Sequence, residues 1–161
     1  MLTLPLAGCA QSLFFYPDQV ERPSPSEFGL AYVESDFSSA DGTALTGWFI
    51  PAIGAPHAHG TVIQFHGNAE NMTSHIAGSL FLLEEGHPLL TFDYRGYGQS
   101  RGTPTLEGIQ EDARAVFRHV FAHPETFGEN VFGFGQSMGA YTLARVLPEI
   151  PSLRGAILEA G

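Results

Sequence analysis

Gly133-Phe134-Gly135-Gln136-Ser137-Met138-Gly139-Ala140 is the stretch on which the reading of this chain turns. An apolar run, Asn130 to Phe134, precedes it, and a helix-like run, Ala140 to Leu147, follows. Its core reads Gly135-x-Ser137-x-Gly139, a nucleophile-elbow pattern. A strand that turns sharply into a helix strains its apex residue and brings neighbouring backbone very close. The positions two before and two after the apex then have no room for a side chain. Such a turn lifts the Ser137 hydroxyl clear of the sheet, at the N-terminus of the next helix. There the helix dipole and the free backbone N–H groups favour developing negative charge. Glycine is common here, 19 of 161 residues, so the pattern alone also fits a Gly-rich turn without chemistry. The flanks argue for the reactive serine: a five-residue strand comes before, and small Ala140 and Ala144 follow at close-packing positions on a helix.

Moving outward, two buried strands of the parallel-sheet kind lie upstream. Thr61 to Phe65 runs into His66-Gly67-Asn68-Ala69-Glu70-Asn71. Leu89 to Phe92 runs into Asp93-Tyr94-Arg95-Gly96-Tyr97-Gly98-Gln99-Ser100-Arg101-Gly102. Between them Ile76, Leu80 and Leu83 share one face of an expected helix that ends near Gly86. After Pro104, Leu106, Ile109, Ala113, Val116, Phe117, Val120 and Phe121 fall at helical spacing. Further upstream, Tyr32 to Ser38 alternates as a strand, Asp41-Gly42 signals a hairpin, and Leu45 to Ile50 returns with Trp48 and Ile50 on one face. Gly155 to Leu158 begins one more strand after the elbow helix. A hairpin followed by alternating strands and helices predicts an α/β sheet, mostly parallel, with helices on both faces. The loops of interest all leave the C-terminal ends of strands, where open α/β sheets place their sites.

Bulk composition narrows the functions. At 161 residues the length suits one domain with a real core. The formal charge of −10 comes from 17 acids against seven arginines and no lysine, a surface that repels phosphate backbones, so no nucleic acid partner is expected. The lack of lysine excludes Schiff-base chemistry and a Ser–Lys dyad within this chain. One cysteine excludes an intrachain disulfide, and no Cys/His cluster has zinc spacing. His57 and His59, in a Pro/Gly/His loop, read as solvated rather than metal-binding. No metal and no cofactor is expected.

The N-terminal ten residues are short and apolar, and Leu6-Ala7-Gly8-Cys9 resembles a bacterial lipobox, with Cys9 as the lipidated residue. The absence of a basic residue before Arg22, and Pro5 within a brief apolar run, fit that pattern poorly. The alternative is a loosely packed N-terminus with a buried cysteine. Lipidation implies membrane attachment through Cys9 and a bacterial cell envelope; without it, the expectation is cytoplasmic. Phe14-Phe15-Tyr16-Pro17 then reads as a lead-in that packs onto the domain.

Phe65 to Asn71, Asp93 to Ser100 and Gly135 to Gly139, in this order, resemble the α/β-hydrolase fold. Their wording is similar to a group of serine hydrolases that includes the mammalian depalmitoylating α/β-hydrolase-domain proteins. Bacterial members are labelled lysophospholipase-like or serine-aminopeptidase-like. The resemblance runs from about Phe14 to the last residue. It implies Ser137 as nucleophile and the Met138 backbone N–H as one oxyanion donor. The second donor would be the N–H of Asn68, with Ala69 as the alternative. His66 with Gly67 resembles a structural loop of the family, His66 having catalytic base as its other reading. Asp93 and Arg95 resemble a loop beside the nucleophile, pinned by hydrogen bonds and an ion pair, with direct catalysis as the other reading. Tyr94 and Tyr97 either line a pocket or pack that loop. Gly135 and Gly139 are the close-approach positions of the elbow.

The family's chain order is Ser, then acid, then His. Neither partner is present as a matching motif: Glu159 is a strand-end residue, and His119 and His123 lie on or just after a helix remote from the elbow. Residues 28–161 therefore read as the N-terminal part of one α/β-hydrolase domain, truncated before the triad acid and His. Residues 1–27 read as a lipoprotein signal remnant plus lead-in. The expected function is a serine hydrolase acting on carboxylic ester or thioester (acyl) substrates, lipid-like ones included, and weak or inactive without a base. The alternatives are a serine peptidase of the same fold and a non-catalytic module that holds an acyl or carboxylate ligand.

Overall fold

The computed structural model describes residues 14–54 and 59–160. Cys9, His57 and Gly161, with most of the proposed signal remnant, lie outside the described residues. In chain order the strands are β1 (Tyr16–Pro17), β2 (Val33–Glu34), β3 (Phe37–Ser38), β4 (Ala44–Leu45) and β5 (Gly47–Ile50). They continue with β6 (Thr61–Phe65), β7 (Ala69–Glu70), β8 (Leu89–Phe92), β9 (Val131–Gln136) and β10 (Gly155–Glu159). The α-helices are α1 (Met72–His75), α2 (Phe81–Glu84), α3 (Leu106–Ala122), α4 (Pro124–Phe127) and α5 (Met138–Val146).

Six strands form the main sheet in the order β10-β9-β6-β8-β5-β2. The four on the β10 side run parallel, and β5 and β2 pair antiparallel. β6 and β8 are buried at every position, so their residues alternate between two apolar faces rather than between core and solvent. Ile63, Phe65, Leu90 and Phe92 face a cluster with Val116, Phe117 and Val120 of α3 and Leu143 and Val146 of α5. Val62, Leu89 and Ile50 face Ile76 and Leu83 on the other side. Full burial of each such side chain contributes about 1.5–3 kcal/mol. β10 is an edge strand among the described residues, with Ile157 and Leu158 exposed.

Three expected elements differ in detail. The strand expected over Tyr32 to Ser38 is two, β2 against β5 and β3 against β4. The register is the same in both segments, and Ser35 N–H donates to Gly47 O between them (2.8 Å). Between the segments Thr46 faces the other side of the strand, as a residue at a non-hydrogen-bonded position does: its N–H donates to Ser100 Oγ and its carbonyl accepts from Asp93 N–H. The helix expected from Ile76 onward is interrupted by a 3-10 turn at Ile76–Ser79 before α2. Gly78 lies in that turn, and a helical glycine costs about 1 kcal/mol relative to alanine. It stops at the left-handed Gly86, as expected. The elbow strand runs two residues beyond Phe134, since Gly135 and Gln136 continue the ladder with Leu158 and Glu159.

α3 starts at Thr105, whose side chain accepts from Gly108 N–H (2.9 Å). On its inner side His119 stacks on Phe37 and bonds Ser35 Oγ (3.0 Å). Burial, and the neighbouring His123, hold this imidazole below its ordinary value of 6.5. The unfolded chain therefore takes up a proton before the folded chain does. Stability is full above about pH 6.5 and is lost as pH falls through the lower folded value. Urea midpoints measured from pH 7 to 5 are expected to fall less in His119→Gln than in the wild type.

Candidate active site

β9 turns into α5 at Ser137, which adopts φ 52° and ψ −115°. A serine in the positive-φ region carries about 1–3 kcal/mol of strain and persists only where its surroundings enforce it. Here they do. Ser137 N–H donates to Glu159 O of β10 (2.8 Å), and Ser137 O accepts from Tyr141 N–H in α5 (3.1 Å). The two glycines leave the turn no alternative. A Cβ on Gly135 would meet Ala140 Cα and Gly139 O at 2.7 Å, and one on Gly139 would overlap the Phe65 carbonyl at the end of β6. Met138, Gly139 and Ala140 are buried, yet Ser137 itself is exposed. Its side chain has no hydrogen-bond partner among the described residues.

The same close contact brings the loop after β6 against the elbow. His66 is fully buried among Tyr94, Tyr97 and His75. Its Nδ1–H donates to Gly67 O (2.8 Å). Its Nε2 lies 3.3 Å from Asp93 Oδ1, inside ion-pair range but off the alignment of a hydrogen bond. Neither ring nitrogen is directed at Ser137, so the geometry fits a structural role and gives the base reading no support. Gly67 is held close by His75, whose Nε2–H donates to Ala69 O (2.9 Å) and whose Nδ1 faces Gln136 Oε1 (3.3 Å). His75 thus bridges this loop to the residue before Ser137, a link the sequence reading missed.

Asn68 is gripped through its side chain. Its Oδ1 accepts from Tyr97 OH (2.8 Å) and Tyr16 N–H (3.3 Å), and its Nδ2 donates to Phe14 O (2.5 Å). β1 completes the grip by pairing with β7 just beyond Asn68. The backbone N–H groups of Asn68 and Met138 meet no acceptor among the described residues. Tyr97 OH, which donates to Asn68 Oδ1, also reaches Met138 Sδ (3.9 Å), so the two free amides lie on segments that one tyrosine joins, and an oxyanion needs two such donors.

The third loop is pinned from several sides. Asp93 Oδ1 accepts from Met72 N–H (2.7 Å), and its carbonyl accepts from Ser100 Oγ (2.7 Å). Gly98 packs so closely on the Asp93 carboxylate that a Cβ there would overlap it. Arg95 donates through Nε and Nη2 to Asp112 of α3, through Nη1 to Asp41 (2.8 Å) and through Nη2 to Ser39 Oγ (3.1 Å). The Asp112 carboxylate, bonded side chain to side chain, pushes the Arg95 guanidinium above its ordinary value, so it stays charged. Arg95 also ties the loop to the Asp41 turn, and the tie lowers the Asp41 carboxyl below its usual range. Tyr94 and Tyr97 are fully buried and pack the loop. Burial raises both phenols, so they remain neutral donors.

Sequence reasoning missed Asp112. The signal was there: it is a carboxylate on the apolar face between Ile109 and Val116, and a buried acid implies a partner. His119 and His123 point to Ser35 and to the helix's own carbonyl, away from the elbow. Among the described residues no group of three or more His, Cys, Asp or Glu side chains could hold a metal ion, and no helix is long and apolar enough to cross a membrane.

Sheet order, elbow and adjoining loops define an α/β-hydrolase. A family model described as "Serine aminopeptidase, S33" matches residues 56–161, and the chain belongs to that family. It is 42% identical over 138 residues to the "Uncharacterized protein YfhR" of Salmonella typhimurium, covering 83% of this chain and 46% of the relative. The α/β-hydrolase domain-containing protein WAV2 of Arabidopsis thaliana is 28% identical over 137 residues, 84% of this chain and 44% of that protein. The esterase Pf2001 of Pyrococcus furiosus superposes with a TM-score of 0.75 at 25% identity, covering 89% of this chain and 56% of that one. The chain thus spans about half the length of the relatives it matches.

Proposed function

We propose that the protein is a serine hydrolase of carboxylic esters or thioesters, with Ser137 as its nucleophile. The observation that carries this reading is the exposed, strained Ser137 hydroxyl at the start of α5, with the unpartnered amides of Met138 and Asn68 on the two segments that Tyr97 OH joins. Ser137 Oγ attacks the carbonyl carbon, its proton passes to a base, and the carbonyl oxygen takes negative charge toward the two amides. Collapse expels the alcohol or thiol, which takes that proton. Water then cleaves the acyl-enzyme and regenerates the hydroxyl. No described imidazole bonds Ser137. We therefore propose that the base is a histidine outside the described residues. The esterase Pf2001 supports ester over amide as the substrate bond; the family's description as a serine aminopeptidase supports the peptidase reading.

A fluorophosphonate probe offered to the full-length protein is expected to label Ser137. Ser137→Ala is expected to abolish labelling and to lower turnover of a p-nitrophenyl ester by about 10³-fold or more. Labelling that survives the substitution rules out Ser137. Faster turnover of an aminoacyl p-nitroanilide than of the ester selects the peptidase instead. Residues 1–161 alone are expected to label slowly or not at all.

A further inference from the structure

One turn into α5, Met138 and Tyr141 meet Leu106 from the start of α3 and Phe14 from the lead-in. The four side chains line an open cavity of about 270 Å³. One of the segments that carry the free amides borders it directly, and the other is tied to its wall. Met138 is itself one of the donors, and Phe14 O accepts from the Asn68 side chain. Phe14 and Tyr141 keep about half their surface exposed, 53% and 48%, although both are aromatic.

We propose that this cavity is the acyl subsite, that it selects a medium-length acyl chain, and that Phe14 makes the lead-in a wall of the active site. The inference rests on Ser137 as nucleophile and deepens that reading. With the carbonyl carbon on Ser137 Oγ and its oxygen on the Asn68 and Met138 amides, two substituents of the ester remain to be placed. One of them, the acyl chain, is apolar, and the surface that adjoins Met138 offers it four apolar or aromatic side chains. Size sets the chain length. Sites for drug-sized ligands measure roughly 300–1,000 Å³. At about 30 Å³ for each methylene-sized group, 270 Å³ takes roughly nine carbons and leaves the rest of a longer fatty chain in water. Each methylene it buries raises kcat/KM about fourfold. Beyond the cavity the gain stops.

The test is a chain-length series of p-nitrophenyl esters, acetate, butyrate, octanoate and palmitate, on the full-length protein. The wild type is expected to prefer butyrate over acetate by about 15-fold, to prefer octanoate over butyrate, and to gain nothing from octanoate to palmitate. Leu106→Trp fills the cavity and is expected to lower the butyrate-to-acetate ratio at least fivefold. Tyr141→Ala opens it and is expected to move the preference toward longer chains. A wild type that prefers palmitate over octanoate, or a Leu106→Trp profile that matches the wild type, overturns the subsite. Fluorophosphonate labelling of each variant reports separately on Ser137. Should the wild type neither label nor turn over, the nucleophile assignment has failed, and calorimetry still decides the cavity. Ethyl butyrate is expected to bind Ser137→Ala more tightly than ethyl acetate, and to lose that margin when Leu106→Trp is added. Equal binding of both esters overturns the proposal.

Discussion

Gly139→Ala is expected to cost about 3 kcal/mol of stability and to slow fluorophosphonate labelling of Ser137 by about 10²-fold. The added Cβ would fall on the Phe65 carbonyl and lie 2.7 Å from His66 O. Neither atom can give way easily. β6 is paired on one side to β8 and on the other to β9, so its C-terminal end is held by two ladders. The helix must yield instead, carrying with it the Met138 amide and the Ser137 backbone. Stability and reactivity should therefore fall together. Gly155→Ala is the control: its Cβ would meet Phe132 at 3.6 Å, an ordinary contact, and should stay within about 0.5 kcal/mol of the wild type. Urea unfolding and labelling rates measure both. A Gly139→Ala protein that is as stable and as reactive as the wild type would mean that the helix start is not pressed against β6.

Arg95→Leu carries the other large expectation, a loss of about 3–5 kcal/mol. Asp112 has no solvent exposure, and Arg95 supplies both its charge partner and most of its side-chain hydrogen bonds. Removing the guanidinium leaves a buried carboxylate with one remaining bond, from Arg95 N–H. The opposite end of the same arginine reaches Asp41, which is half exposed, so Asp41→Asn should cost under about 1 kcal/mol. Replacing Arg95 and Asp112 together by apolar residues should recover much of the loss, because no charge is then stranded. Urea midpoints of the single and double variants decide it. Equal losses for Arg95→Leu and Asp41→Asn would place the stabilising contact at the surface.

The readable parts of the site are those in which one short segment carries the whole constraint. Gly135, Ser137 and Gly139 lie within five residues, and the crowding that excludes side chains at both glycines is set by the turn and the strand beside it. Thr61–Phe65 and Leu89–Phe92 were legible to the residue, since a run buried on both faces is apolar throughout. The Arg95–Asp112 pair was half legible. Arg95 announced a tether, and only packing α3 under the loop, 17 residues on, named its partner. The grip on Asn68 comes from Phe14 and Tyr16, more than 50 residues upstream, and no local pattern records which backbone will lie beside an amide side chain. The split of the expected strand between Glu34 and Phe37 was equally hidden, since the pairing register is the same on both sides of it.

The sequence by itself determined the α/β class, the alternation of buried strands and amphipathic helices, and the serine at the bend, since each rests on residue size and period along the chain. Tertiary structure alone decided that this hydroxyl stands exposed, that His66 is turned toward Gly67 and Asp93, and that Phe14 and Tyr141 border one cavity. The reason is physical. Steric exclusion and burial period act between near neighbours in sequence. Hydrogen-bond direction and the shape of a cavity depend on backbones brought together only when the sheet closes.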